Sequence, residues 1–380
     1  MTRPIQLIHL GLKKRLMATV LGAVAGLLRL RTALFRAPVR ERSVVLLEPF
    51  GLGDVISHEP LVRLLRTHHY DVTFCGAAPW RVILPGINWV DSEIAWGRHA
   101  AAEKYSLRAY TGPKFRGFLR ALRNAAQGAV GIDTRGDIRS VILLHLAGCQ
   151  QVISLSRYLG TDLKMPRLAA TTVEVPPELR RWESNLRCAG PLGLEARDSE
   201  GPRLLHFTRA RAHSAPARIA LVPVAPWRGK WWPAENWRAL AAVLVRRGAE
   251  CVVLCGPGQR AAAEQILAAE VKVIESSSVA EWAASLQEVS FIITLDSGPM
   301  HLNDALGLPV VVLFGQGSLP LWAPTHPDSV IVTHQGDPDF RILAPIEANT
   351  ESGEEFMRRI TVEEVLRGAD SLLAKQLAKP

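Results

Sequence analysis

A turn rich in polar residues stands between two apolar segments in the second half of the chain. Its residues are Asp296, Ser297, Gly298, Pro299, Met300 and His301. The flanking apolar segments, 291–295 and 310–314, predict a strand, a tight turn, a short helix and a second strand. Amides at a helix start point outward and bind phosphate or another anion. The same spacing fits an ordinary helix start that Asp296 or Ser297 caps, so both interpretations stand.

A second candidate residue, Asp54, follows a short apolar segment near the start of the chain. Gly51 and Gly53 precede it and predict a turn from a strand into a helix. The carboxyl end of a parallel strand is where open α/β sheets bind ligands. A carboxylate at that position acts as a general base toward a substrate hydroxyl, or it caps the helix that follows.

A candidate cation, Lys230, lies in a loop that contains three tryptophans: Trp227, Trp231 and Trp232. Lysine is a compact point charge that suits phosphate. Indoles around it lower the local dielectric and strengthen its attraction for an anion. Arg228 is a second cation in the same loop. The alternative for Lys230 is a solvent-exposed side chain on an aromatic loop.

From Ser43 onward, apolar segments of strand length alternate with segments of helical period. Strands are predicted at 44–47, 72–76, 128–133, 219–222, 250–255, 291–295 and 310–314. Helices are predicted at 54–66, 138–146, 179–189, 234–247, 261–269, 279–286 and 361–378. This alternation is typical of parallel sheets with helices on both faces. The fold class is therefore α/β, with two Rossmann-like domains, 43–205 and 206–380, and the weakly periodic residues 176–216 carry the join.

Residues 1–42 form a separate segment with a mostly apolar run at 16–28. Basic residues flank this run: Lys13, Lys14, Arg15, Arg29, Arg31 and Arg36. The run is shorter than the roughly 20 residues that span a bilayer. A secretory signal has a similar start, but the arginines continue and no clean small-residue cleavage site follows. We predict a basic apolar helix at 5–36 that lies on an anionic membrane face, with a packed surface helix as the alternative.

The composition agrees with a two-domain protein that contacts an anion. A chain of 380 residues exceeds what one core usually organises, and its formal net charge is +9. The five cysteines are odd in number and mostly far apart, which favours buried thiols in a reducing compartment. No zinc spacing is present, and scattered basic residues without a known motif argue against nucleic-acid binding. The sequence also argues against a Rossmann dehydrogenase, because Gly51 and Gly53 lead directly into Asp54 without a third glycine.

Four segments in this order resemble the pattern of glycosyltransferase family 9, the bacterial lipopolysaccharide heptosyltransferases. They are residues 48–55, residues 131–136 with Arg139 and Ser140, residues 226–233, and the turn 296–301 with the strand that ends at Phe314-Gly315. The resemblance covers the chain from about residue 43 onward. It implies the GT-B arrangement, in which two Rossmann-like domains face a cleft, the first on the acceptor side and the second binding the nucleotide sugar.

The resemblance also implies an activity and a role for each half of the chain. The expected reaction moves a heptose from ADP-heptose, with inversion, onto a lipopolysaccharide core or a similar lipid-linked saccharide. Asp54 matches the family's proposed base, and Gly51 and Gly53 lie in its acceptor-side loop. Lys230 matches the phosphate-binding lysine.

In the turn, the resemblance assigns the remaining donor-binding residues. Asp296 is expected to hold sugar hydroxyls. Ser297, Gly298 and Pro299 are expected to lie against the diphosphate, with amides of Gly298 and Met300 donating. His301 is expected to bind phosphate or to tie the turn to the backbone.

We expect no cofactor and no metal, because no Asp-x-Asp pair suited to hold a metal beside the diphosphate is present. The expected partners are a nucleotide-sugar donor, a lipid-linked saccharide acceptor and an anionic membrane surface, without nucleic acid. The expected location is the cytoplasm, with peripheral association with the inner membrane.

The chain departs from the family pattern at two places. Ala225 and Pro226 stand where hydroxyl residues are common. Gln259 and Arg260 follow Gly258 where a glutamate for the ribose hydroxyls is expected, and Glu264 comes one turn later. The alternatives therefore include a transferase for another nucleotide sugar and a non-catalytic nucleotide-sugar-binding protein of the same fold. The presence of Asp54 favours an enzyme.

Overall fold

The structure is a computed structural model. It describes residues 12–34, 38–93, 112–159, 161, 163–196, 200–207, 217–267, 271–287, 289–343, 348 and 350–377. The chain divides into two compact units, Met1–Gly201 and Pro202–Pro380. The boundary predicted between residues 205 and 206 lies within a few residues of this division.

The first unit contains a six-stranded parallel sheet. Its strands are β1 Ser43–Leu47, β2 Asp71–Gly76, β3 Asn88–Asp91, β4 Val130–Asp133, β5 Gln151–Leu155 and β6 Thr171–Val173. They lie in the order β3-β2-β1-β4-β5-β6, and all neighbouring pairs are parallel. This is the strand order of a Rossmann fold, in which the order reverses between β1 and β4. Every residue of β1 is buried, as expected for a strand with helices on both faces.

The described helices of the first unit are α1 Leu12–Leu34, α2 Leu52–Ile56, α3 Glu59–Thr67, α4 Gly112–Ala126, α5 Ile138–Leu146 and α6 Arg181–Arg187. The prediction of one helix at 54–66 is wrong, because α2 ends before Ser57 and α3 begins at Glu59. Pro60 explains the break: it lacks the amide that a continuous helix requires, and it suits the first turn of a new helix.

Helix α1 lies within the segment predicted as a basic apolar helix, and residues 5–11 and 35–36 of that prediction lie outside the described residues. It packs on α5, and its buried Ala25 and partly buried Leu21 join the core of the first unit. Among the described residues, no helix has both the length and the apolar content that crossing a membrane requires.

The second unit contains another six-stranded parallel sheet. Its strands are β7 Arg218–Val222, β8 Glu250–Cys255, β9 Lys272–Glu275, β10 Phe291–Leu295, β11 Val310–Phe314 and β12 Val330–Thr333. The order β12-β11-β10-β7-β8-β9 repeats the Rossmann order of the first unit, and its reversal lies between β7 and β10. The α/β architecture with two Rossmann-like units therefore follows the prediction.

The described helices of the second unit are α7 Ala234–Arg246, α8 Arg260–Ile266, α9 Val279–Ser285, α10 Gly298–Ala305, α11 Leu319–Trp322, α12 Glu351–Arg359 and α13 Val362–Leu377. Trp237 of α7 is fully buried and meets Trp232 edge to face at 5.1 Å. Helix α13 packs on α7, β11 and β12. These contacts hold the loop after β7 against the sheet.

All five cysteines are buried and unbridged, which confirms the prediction of buried thiols. Burial raises the pKa of Cys149 and of Cys188 to about 12, because a thiolate would lose its hydration there. These thiols therefore remain protonated, inert parts of the core at neutral pH.

Candidate active site

The two residues predicted to bind the donor, Lys230 and Asp296, meet in the second unit. Strand register pairs Thr294 with Val222, so the segments that follow β10 and β7 leave the same sheet edge. Lys230 ends a short 3₁₀ turn, Arg228–Lys230, and its Nζ lies 2.9 Å from Oδ2 of Asp296. Asp296 is almost fully buried, a condition that a carboxylate tolerates when it is paired.

The turn that begins α10 is not an ordinary capped helix start. Ser297 occupies the N-cap position, but its side chain makes no cap hydrogen bond, and its Oγ donates to the carbonyl of Leu295 at 3.3 Å. Asp296 pairs with Lys230 instead of capping. Gly298 is the first helical residue, where an amide has no intrahelical acceptor.

The Met300 amide is hydrogen-bonded within its own turn. Its amide donates to the carbonyl of Ser297 at 3.0 Å, and its side chain is fully buried. The tight turn folds this amide back onto the chain, and the expected donor contact of Met300 stays a prediction. Asn303 fixes the same turn, because its Nδ2 donates to the carbonyl of Pro299 at 2.6 Å. The His301 ring packs edge-on against Trp322, with centroids 5.2 Å apart.

Two glycines near the Lys230–Asp296 pair lie too close to neighbouring atoms to carry a side chain. A Cβ added at Gly317 would overlap the Asp296 carboxylate. A Cβ added at Gly229 would overlap the carbonyl oxygen of Ala348. Both positions therefore require glycine for close approach.

The other side chains of the 226–233 loop have structural partners. Nε of Arg228 lies 2.6 Å from Oε1 of Glu354, and this hydrogen bond raises the pKa of Arg228. The Trp231 indole donates to the carbonyl of Ala225 at 2.7 Å, and that of Trp232 donates to Ile360 at 2.8 Å. Trp232 is buried, whereas Trp231 remains exposed. These bonds hold the loop in shape, and they direct Arg228 to Glu354.

A carboxylate that sequence analysis missed lies beside the loop after β8. The Gly258 amide donates to Oε1 of Glu275 at 2.6 Å, and Nε of Arg260 lies 3.5 Å from Oε2 of the same residue. Gln259 accepts a hydrogen bond from the Gly256 amide at 2.9 Å. Glu275 ends the neighbouring strand β9, so its proximity depends on strand pairing and left no signal near Gly258.

Asp54, the predicted base, lies at the third position of α2 in the first unit. Its Oδ2 accepts a hydrogen bond from the Gly51 amide at 3.3 Å, which is one half of a capping box. Its Oδ1 forms an ion pair with Arg135. The carboxylate therefore contributes to the helix start and is also held by a cation from the segment after β4.

A buried ionic network lies behind Asp54. The register that pairs Leu46 with Ile132 brings Glu48 level with Thr134. Oε2 of Glu48 lies 2.9 Å from Nη2 of Arg181, and both side chains are almost completely buried. Oε1 of Glu48 lies 3.4 Å from Arg135, so one carboxylate lies between two guanidinium groups.

His58 is held in a single neutral form. Its Nδ1 lies 2.7 Å from the Asp54 carbonyl, which only accepts, so Nδ1 donates. Its Nε2 lies 2.8 Å from Oγ1 of Thr134 and accepts from that hydroxyl. Burial, reinforced by the charge of Arg181, lowers the pKa of His58 to about 3. The imidazole is therefore a neutral structural link between α2 and the segment after β4.

A second buried carboxyl, Asp133, ends β4. Burial, with the nearby charge of Asp137, raises the pKa of Asp133 to about 7. Ser154 donates to its Oδ2 at 2.7 Å, and the Arg135 amide donates to its Oδ1 at 3.2 Å. Asp133 therefore shapes the turn that carries Arg135.

Sequence analysis missed most of this network. Glu48 and Arg135 lie within segments that were recognised, but neither received a role. Arg181 had no local signal, since it lies on a short helix far along the chain and reaches Glu48 only through the fold. A charged residue directly after a fully apolar strand, as Glu48 is, is the signal that points to such a site.

The only Asp-x-Asp sequence, Asp337-Pro338-Asp339, is engaged by one cation. Arg359 lies 3.3 Å from Oδ2 of Asp337 and 2.7 Å from Oδ2 of Asp339. Over the residues that the structure describes, no group of three or more His, Cys, Asp or Glu side chains is arranged to hold a metal ion.

Comparison with known proteins identifies the family of this chain. The sequence profile of glycosyltransferase family 9 (heptosyltransferase) matches residues 117–348, more than half of the chain. The chain belongs to glycosyltransferase family 9. Lipopolysaccharide heptosyltransferase 1 of Salmonella typhimurium is 26% identical to it over 132 residues, which is 33% of this chain and 42% of that protein. The match thus spans less than half the length of this curated relative.

Solved structures of family 9 proteins share the fold. A family 9 glycosyltransferase from Veillonella parvula superposes with a TM-score of 0.66 at 17% identity, covering 88% of this chain and 97% of the other. Escherichia coli heptosyltransferase WaaC with ADP gives a TM-score of 0.65 at 16% identity, with coverages of 87% and 99%. Escherichia coli ADP-heptose lipopolysaccharide heptosyltransferase II gives 0.61 at 18% identity, with coverages of 88% and 100%. These likenesses confirm the predicted α/β fold class.

Proposed function

We propose that this family 9 protein is an inverting glycosyltransferase that moves a heptose from ADP-heptose onto a lipopolysaccharide core or a similar lipid-linked saccharide. The observation that carries the proposal is the Lys230–Asp296 pair beside the start of α10. Family membership and the names of the relatives, which include a heptosyltransferase with ADP and an ADP-heptose heptosyltransferase, support the donor.

On the donor side, the second unit would bind the nucleotide sugar. The Lys230 side chain is partly exposed while Asp296 holds its ammonium in place, so its charge would be available to a diphosphate oxygen. The Gly298 amide and the N-terminus of α10 would add a positive dipole end, with Ser297 and Pro299 lining the turn. Asp296 would accept hydrogen bonds from sugar hydroxyls, and His301 would close one side of the turn against Trp322.

The nucleoside half would lie at the carboxyl ends of β8 and β9. Ribose hydroxyls donate to carboxylates, and Glu275 supplies one beside the Gly258 loop. Glu275 would take the place of the glutamate that the family pattern places soon after Gly256 and Gly258. The adenine assignment rests on the relatives, and GDP- or UDP-sugars are the alternatives to be tested.

On the acceptor side, the first unit would supply the base. Asp54 has two oxygens with about four lone-pair sites, of which the Gly51 amide and Arg135 occupy two. A remaining lone pair would accept the proton of the acceptor hydroxyl as its oxygen attacks the anomeric carbon. A Cβ added at Gly51 would lie 3.8 Å from Oδ2 of Asp54, so Gly51 places no side chain over this carboxylate.

These roles account for the bonds, the proton and the charge of the transfer step. The new glycosidic bond forms as the bond from the anomeric carbon to the diphosphate breaks, and attack from the opposite face inverts that carbon. The proton ends on Asp54, and the negative charge of the leaving nucleoside diphosphate ends beside Lys230 and the α10 amides. Electrostatic stabilisation at a developing charge of this kind is often the largest contribution to catalysis.

A ligand screen followed by a transfer assay tests the proposal. The unfolding temperature of the purified protein should rise with ADP but not with GDP or UDP, since a ligand that binds the native state stabilises it. ADP-heptose and a lipopolysaccharide core acceptor should then yield ADP and a product with the inverted linkage. A thermal shift with GDP or UDP instead of ADP would mean that the donor is a different nucleotide sugar. ADP binding without turnover on core acceptors would favour the non-catalytic alternative.

A further inference from the structure

Helix α1 has an inner face that is fitted to the first unit. Ala25 is fully buried, and a Cβ added at Gly22 would overlap the Pro166 side chain. Nη1 of Arg29 donates to the carbonyl of Arg167 at 3.1 Å. Small residues thus allow the helix to approach the unit closely, so α1 is packed as part of this unit.

The opposite face of α1 carries the large apolar side chains. We call it the outer face, and its exposed residues, three or four apart, are Val20, Ala23, Val24, Leu27, Leu30, Arg31 and Leu34. Leu27 is 68% exposed and Leu34 is 69% exposed. At about 1.5 Å of rise per residue, the outer face is roughly 21 Å long. A surface helix of a soluble domain normally turns such residues toward the core.

The stretch of sequence that includes α1 carries charge of one sign. The first 40 residues contain no Asp or Glu, and their cations are Arg3, Lys13, Lys14, Arg15, Arg29, Arg31, Arg36 and Arg40. The segment beside α1 adds the exposed Lys164 and Arg167. It also carries Leu168, which is 78% exposed and packs beside Gly26. Apolar side chains and cations are therefore combined in one surface.

We propose that the outer face of α1 docks on an anionic membrane, with the helix lying in the plane of the interface. Apolar side chains would enter the boundary between headgroups and acyl chains, while the flanking cations bind lipid phosphates. A second copy of this chain fits less well, because two outer faces would bring the same positive charges together. Since the inner face is packed on the unit, docking would hold the whole first unit against the membrane.

Vesicle flotation tests this docking without any measurement of transfer. The full-length protein should float with vesicles of phosphatidylcholine containing about one quarter phosphatidylglycerol, and should float weakly with phosphatidylcholine alone. Higher salt should reduce the bound fraction, since salt screens the attraction between exposed charges. Removing α1 is a poor test, because deletion would expose the core around Ala25.

Substitutions confined to the outer face leave that core intact. The variant Leu27→Gln, Leu30→Gln, Leu34→Gln should lower partitioning onto the anionic vesicles about tenfold or more, because three apolar side chains no longer leave water. The matched control is Leu205→Gln, Val245→Gln, Ile331→Gln, which changes three exposed apolar residues of the second unit. Thermal unfolding should verify that both variants remain folded.

Two results would overturn the proposal. One is that the wild type, the outer-face variant and the control variant all float with the anionic vesicles to the same extent. The other is a wild-type dimer in sedimentation that the outer-face variant dissociates, together with no flotation of either protein. The second result would assign the outer face to a second copy of the chain.

Discussion

The carboxylate of Asp54 is paired with the guanidinium of Arg135, and the Arg135 guanidinium also lies 4.0 Å above the Phe50 ring. This relationship joins the segments that follow β1 and β4, the two strands at which the sheet order reverses. Arg135 and the Gly51 amide approach the carboxylate from two sides, so its orientation is set before any substrate arrives. Such preorganisation is what a general base requires.

Replacing Asp54 by Asn should abolish sugar transfer while ADP binding, measured by calorimetry, stays within about twofold of wild type. The amide keeps the size of the side chain but does not accept the acceptor's proton at neutral pH. Asp370→Asn, at an exposed carboxylate paired with Arg247, is the control and should retain activity. Wild-type turnover by the Asp54 variant would leave this residue as a helix cap.

Replacing Lys230 by Ala should weaken ADP binding and slow transfer together, each by about tenfold or more, since the charge acts on both the bound donor and the departing diphosphate. It also leaves the buried Asp296 carboxylate without its cation, so thermal stability should fall. Lys272→Ala removes an exposed lysine of β9 and should change neither property. If the ADP dissociation constant of Lys230→Ala equalled that of the wild type, Lys230 would not be part of the donor site.

Replacing Gly317 by Ala should reproduce much of the Lys230→Ala defect in ADP binding. The added methyl group would displace the Asp296 carboxylate and so disturb its pair with Lys230. Gly336→Ala is the matched control, because a Cβ there meets nothing within 4 Å. If both variants bound ADP as tightly as wild type, the geometry of the pair would not matter for the donor.

His58 should make the protein sensitive to acid. Its pKa is lowered to about 3 in the folded state from an ordinary value of 6.5. Below pH 6.5 the unfolded chain therefore binds a proton that the folded chain does not, and stability is lost as the pH falls through this window. Between pH 6 and pH 4, the free energy of unfolding of His58→Gln should fall by about 2 kcal/mol less than that of the wild type.

Urea unfolding at several pH values measures this difference, and glutamine can reproduce the donor and acceptor of the neutral imidazole. Asp133 also titrates in this range, with the opposite sign. It is present in both proteins, so its effect cancels in the comparison. Parallel stability curves for the two proteins would show that His58 does not titrate as proposed.

Transfer should survive chelation by EDTA, measured as release of ADP from the donor. Lys230 and the amides at the start of α10 can neutralise the diphosphate, and Arg359 occupies the Asp337–Asp339 pair. Activity that disappears in EDTA and returns with Mg²⁺ or Mn²⁺ would require a different account of the leaving group.

Sequence alone determined the features that depend on neighbouring residues. Alternating apolar segments predicted the α/β class, since strand and helix periods are local properties. The predicted limits of β8, β10, β11 and α5 coincide with the observed ones, because each is a continuous apolar or helical run. The turn at Asp296 and the apolar helix α1 were also visible in the sequence.

The tertiary structure decided the features that depend on pairing between distant segments. The edge strands β3, β6, β9 and β12 are short and partly exposed, so their local pattern is weak, and they exist as strands because a neighbour supplies their hydrogen bonds. Strand register brought Lys230 to Asp296, and the position of helix α6 brought Arg181 to Glu48, although the spacing of these residues in the sequence carries no signal. The partner of the Ser297 hydroxyl was decided in the same way, because its side chain bonds the carbonyl of Leu295 and not a helix amide. Which face of α1 is buried depended on Pro166 and Arg167, because helical period fixes which residues share a face but not which face meets the core.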